Sequence, residues 1–146
     1  MVLVEIADLI PLAIARVTHV VILHEREGRR CLSITLEGFE GHNLQRGLQG
    51  SSSPRPLTHQ LLGSMFQALD CELEEVRIER WKRETFYATI QLRKGCDVIV
   101  LDSRPGDALS LAVLAAKPIY VAEEVFAEAG RPYPQEAIRW RTQRVR

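Results

Sequence analysis

Two hydrophobic periods run along the chain, the two-residue repeat of strands and the 3.6-residue repeat of helices. VTHVVILHE (17–25) is rich in β-branched residues and ends at EREGRR, where Gly28 suits a hairpin turn; CLSITLE (31–37) is the returning strand. GFEGHNLQRGLQ follows as a short, weak helix: Phe39, Leu44 and Leu48 share helical spacing, while its glycines weaken it. GSSSPRP (50–56) is a loop by composition. A clearer helix begins after it. Leu57, Leu61, Leu62, Met65, Phe66 and Leu69 form a stripe that should be buried, with Thr58 at the N-cap.

Strand alternation returns in VRIE (76–79) and FYATIQL (86–92), separated by Trp81 and the charged KRET turn, which predicts an antiparallel hairpin. KGCD makes the next turn. DVIVLD (97–102) is so continuously apolar that it should not be an edge facing water. PGDALSLAVLAA then reads as a helix and PIYV as a strand, so residues 98–121 predict a parallel pair joined by a right-handed crossover. AEEVFAEAG (122–130) is a last short helix. The total is six or seven strands and four helices. The predicted class is α+β: a mixed sheet with hairpins and one β-α-β crossover, short helices packed on it.

Composition narrows the class of protein. A chain of 146 residues, 46% apolar and 26% charged, holds one domain with a hydrophobic core and is not disordered. The early segment LVEIADLIPLAIARV is broken by Glu5, Asp8 and Pro11 and lacks a basic leader. It is read as neither a signal peptide nor a membrane span. Cys31, Cys71 and Cys96 are far apart and form no CxxC pair, which points to free thiols in a reducing cytoplasm rather than disulfides or zinc.

Net charge is zero but unevenly spread. The tail from Arg131 to Arg146 holds five arginines and one acid, for +4, and residues 1–130 carry −4. The division is therefore a domain over 1–130 and a basic tail over 131–146. RWRTQRVR could touch phosphates with Trp140 stacking on a base, although a solvated or docked tail is the plainer reading.

Candidate chemistry collects at two Arg-Pro corners, RPLTHQL (55–61) and DSRPGDAL (102–109). Asp102 ends a strand and Asp107 falls in the first turn of the next helix, where a carboxylate gains about 0.3–1 kcal/mol from exposed N–H groups. Arg104, held extended by Pro105, could pair with Asp102 or Glu40. All of this is adequate as scaffolding. The functional alternative is a site at a strand C-terminus beside a helix N-terminus, where α/β crevices bind ligands and N–H groups favour phosphate. Asp102 and Asp107 could hold Mg²⁺ or Mn²⁺, with Arg55 and Arg104 neutralising phosphate. His59 could serve as acid or base, the role for which a histidine side chain is most often used. Glu40 is the only acid of its helix. P-loop, GxGxxG, HExxH and nucleophile-elbow patterns are missing.

Taken in order, LSITLEGFEG, RPLTHQLL, FYA, DSRPGDALSLA and PIYV resemble the bifunctional nuclease (BFN) domain family over nearly the whole of residues 1–130. The resemblance implies a compact α+β domain, a homo-oligomer, and nuclease activity on RNA and DNA. By position it marks Glu40, Arg55, Thr58, His59, Asp102, Arg104 and Asp107 as the polar signature, with Thr58 among the phosphate-binding residues. The chain departs from the pattern at Ser33 (usually proline), Glu37 (glycine), Gln60 (aspartate) and Gly106 (serine). Two expectations follow. One is a nuclease in which His59, Asp107, Asp102 and Glu40 are catalytic. The other is a non-catalytic oligomeric module, favoured by the missing acid at Gln60 and by the acidic body.

Overall fold

The computed structural model describes residues 1–134. Its elements in chain order are β1 (Val2–Ile14), β2 (Val17–Glu25), β3 (Arg30–Glu37), α1 (Phe39–Gln49), α2 (Thr58–Ala68), β4 (Glu72–Lys82), β5 (Thr85–Lys94), β6 (Asp97–Ser103), α3 (Pro105–Ala115), β7 (Ile119–Val121), α4 (Glu123–Ala129) and β8 (Arg131–Pro132). One mixed sheet in the order β6-β5-β4-β7-β1-β2-β3-β8 carries the four helices, which is the α+β architecture expected. None of these helices is long and apolar enough to cross a membrane.

Alternation explains how the sheet acquires its buried face. Val21 and Leu23 of β2, Leu32, Ile34 and Leu36 of β3, and Ala88, Ile90 and Leu92 of β5 point inward at every second position. Helix α3 lies across them. Its Ala108, Leu109, Ser110, Leu111 and Ala112 are all buried because α1 and α2 cover it from outside. A helix apolar on every side is thus a central one, and the greasy run after Asp107 needs no other explanation.

Three expectations change. The early apolar segment, read above only as neither a signal peptide nor a membrane span, is strand β1, a hairpin partner of β2. Only Val2–Val4 is also paired on its other side, with β7, so Pro11 falls where a missing N–H costs no ladder bond. The crossover strand β7 pairs in parallel with β4, not with β6. Strands β6 and β7 run the same way, but the β4–β5 hairpin stands between them and α3 spans it.

Strand β6 is an edge after all: Val98 and Val100 are 50% and 53% exposed, and Leu101 is exposed as well. The α2 stripe is only half buried. Leu62 and Phe66 pack on the core while Leu61, Met65 and Leu69 face outward, since α2 rests chiefly on α3 and little of the sheet lies beneath it. After α4 the chain returns as β8 beside β3, and Tyr133 meets the His24 ring at 4.4 Å. Residues 135–146 of the basic tail, Trp140 among them, lie outside the described residues.

Candidate active site

Three helices begin at the same place. The first turns of α1, α2 and α3 meet at one end of a cleft of about 1100 Å³, whose lining includes Glu40, Thr58, His59, Asp102, Arg104 and Asp107. Leu62, Phe66, Ile90, Leu101 and Leu111 form its apolar wall. Each helix start has a local cause. In α3, Arg104 is the extended N-cap and Pro105 occupies the first helical position, where its fixed φ fits and its missing N–H is no loss. In α2 the N-cap is Leu57 rather than Thr58, which is the first helical residue. Gln60 reaches back to accept the Leu57 N–H at 2.8 Å. The residue standing where the family pattern has an acid therefore has a structural task, the return half of a capping box.

Asp107 is the hub. His59 Nε2 lies 2.9 Å from its Oδ1, and Arg104 Nε donates to its Oδ2 at 2.6 Å. Arg104 thus pairs with Asp107, neither with Asp102 nor with Glu40. Burial pushes the Asp107 carboxyl upward, but the hydrogen bonds from His59 and Arg104 outweigh it and hold the group below the usual carboxylate range. If the imidazole is neutral, donation from Nε2 leaves Nδ1 as the free base, a tautomer assigned from this hydrogen-bond pattern.

Glu40 has the opposite tuning. It is buried, and burial raises its carboxyl above the ordinary value despite the Gly106 amide and the nearby Arg104 charge. Its Oε1 accepts the Gly106 N–H at 2.7 Å, so a residue of α1 satisfies one of the free N–H groups that open α3. Gly106 is what permits this approach, since a Cβ there would stand 2.3 Å from Glu40 Cγ. Two carboxyls in one cleft, pushed apart in acidity, are suited to different protonation states.

Asp102 and Arg55 do not join this hub. Register sets Leu101 opposite Ile90 and Asp102 opposite Thr89, so Asp102 has the parity of the sheet's outer face and lies exposed at the cleft edge. Arg55 is exposed and is not part of the cleft lining. Among the described residues, no three His, Cys, Asp or Glu side chains converge as a metal site needs. Both oxygens of Asp107 are already engaged. The donor set therefore does not fit Mg²⁺ or Mn²⁺.

Sequence reasoning missed Phe39, Arg16, Asn43 and Ser103, which also line the cleft. Arg16 belongs to the β1–β2 turn, and the pairing of Val17 with Glu37 and the backbone bond from Gly38 N to Arg16 O (3.3 Å) bring it near. No local pattern announces that.

A family model described as Bifunctional nuclease domain matches residues 21–134. Two uncharacterized proteins of Mycobacterium tuberculosis, one from strain CDC 1551 and one from strain H37Rv, are each 37% identical over 127 residues. The match covers 87% of this chain and 76% of each relative.

Proposed function

Because this chain belongs to the bifunctional nuclease domain family, we propose that it hydrolyses phosphodiester bonds of RNA or DNA by side-chain acid–base catalysis. The observation that carries this reading is the single cleft in which Asp107, its pKa lowered by its bonds to His59 and Arg104, orients His59 while Glu40, its pKa raised by burial, lines the same space. His59 Nδ1 takes a proton from the attacking water. The phosphorus–oxygen bond to the leaving sugar oxygen breaks, and Glu40 gives that oxygen its proton. Arg104 keeps its Nε on Asp107 and turns its terminal nitrogens toward the non-bridging oxygens. The exposed N–H groups of three helix starts favour the same anion. Thr58, in the first turn of α2, supplies a hydroxyl to it.

The site is proposed to work in an oligomer. Natural sheets usually blunt an edge strand with lysine, proline or a bulge. Strand β6 instead offers unpaired backbone flanked by exposed Val98, Val100 and Leu101, and a second copy added along this edge would cover them. The three free cysteines accord with a reducing cytoplasm. A second reading, a non-catalytic module, is favoured by the same Asp107 bonds acting only as helix-start scaffolding. The deciding test is cleavage of a labelled single strand by purified protein, with His59→Ala and Glu40→Gln alongside. Loss of cleavage in both folded variants supports the nuclease; no cleavage by the wild type sinks it.

A further inference from the structure

Phe66, Phe86 and Phe126 pack on the core, but Phe39 is 82% exposed and lines the cleft. Its position is built. Gly38 takes φ 52° and ψ −131°, a left-handed backbone that residues with a Cβ avoid, and so turns the chain sharply from β3 into α1. That turn is pinned from both directions: Gly38 N–H donates to Arg16 O, and Thr18 Oγ1 donates to Gly38 O at 3.0 Å. Phe39 is therefore presented at the mouth by a fixed turn, next to Arg16 and one residue before Glu40.

Charge makes this ring matter. Arg16 and Arg104 line the cleft together with Glu37, Glu40 and Asp107, Asp102 lies at its edge, and the domain as a whole is acidic. A polyanion held by phosphate contacts alone needs a basic track, which this cleft does not provide. Stacking needs no charge, and every base has a face to offer. We propose that Phe39 is a base-stacking platform, so that the substrate is single-stranded nucleic acid with an unpaired base laid on this ring and the neighbouring phosphodiester directed inward to His59. The inference rests on the nuclease reading above. It also accounts for how a buried imidazole is reached, because a flexible single strand can enter a cleft that a stacked duplex cannot.

The test is fluorescence anisotropy of a labelled single-stranded DNA hexamer with the full chain, in parallel with cleavage of the same oligomer. Phe39→Ala is expected to weaken binding about ten-fold, Phe39→Tyr to restore it, and an abasic hexamer to bind the wild type as weakly as the alanine variant binds the intact one. Salt should weaken binding only gently, as few phosphates are neutralised. If the wild type cleaves and Phe39→Ala binds and cleaves equally well, the platform is wrong while the nuclease stands. If Phe39→Ala instead changes the mass in light scattering and not the affinity, the ring covers a second copy and the platform is again wrong. If the wild type neither binds nor cleaves, the nuclease reading fails and takes the platform with it.

Discussion

Glu40 and Gly106, 66 residues apart in the chain, are joined by a 2.7 Å hydrogen bond that ties the first turn of α1 to the first turn of α3. The contact exists only because position 106 has no side chain. It locks a carboxyl in a buried setting, and that setting raises its pKa. Packing and acidity are therefore one feature at this site.

Gly106→Ala should displace the Glu40 side chain, leaving a buried amide without its acceptor. A loss of about 1–3 kcal/mol is expected in urea unfolding, together with a larger fall in kcat than in KM. Unchanged stability would mean that Glu40 gives way at little cost.

Asp107→Asn removes the charge that holds both His59 and Arg104. Cleavage should fall about 10²–10⁴-fold, the range of general acid–base catalysis. Arg104→Ala should raise KM more than Arg55→Ala, since Arg104 lines the cleft and Arg55 does not. Equal effects of the two arginines would remove Arg104 from phosphate binding.

Stability should depend on pH with opposite signs at the two carboxyls. The folded pKa of Asp107 is depressed, so its stabilisation is present above the ordinary value of 3.8 and is lost as pH falls through the lower folded value. The folded pKa of Glu40 is raised above 4.5, so its contribution is full below that value and is lost as pH rises through the higher folded one. Glu40→Gln, which keeps an acceptor for Gly106, should be at least as stable as the wild type above that upper limit. Thermal melts across pH measure this. Loss of the same proton as pH rises through the raised Glu40 pKa should lower kcat for sugar-oxygen leaving groups and not for a p-nitrophenyl phosphodiester.

Cleavage should persist in EDTA, because the donor set does not fit a divalent ion and the proposed steps use side chains alone. Complete loss in EDTA, restored by manganese, would overturn the acid–base scheme.

Val100→Lys sets a charge at the middle of the β6 edge and should lower the mass seen in light scattering without lowering Tm. An unchanged mass would mean that copies associate elsewhere or not at all.

Much of the fold was legible because strand and helix periods are local. The alternation in β2–β5 and the all-apolar run of α3 each follow from neighbouring residues, and the Arg-Pro motifs marked His59 and Asp107 before any contact between them was known. Local pattern misjudged β6 and α2, since burial depends on what stands opposite and the next layer does not reach them. Nor does local pattern tell that Asp102 stands exposed at the cleft edge and Arg55 outside its lining: a period of two decides which face a strand residue such as Asp102 takes, but only the sheet's position in the whole decides which face is covered. The sequence by itself determined the elements and the polar residues at their junctions. Tertiary structure decided that three helix starts share one cleft, that Gly106 admits Glu40, and that Phe39 stays bare at the mouth, because each depends on distances between segments that no local interaction sets.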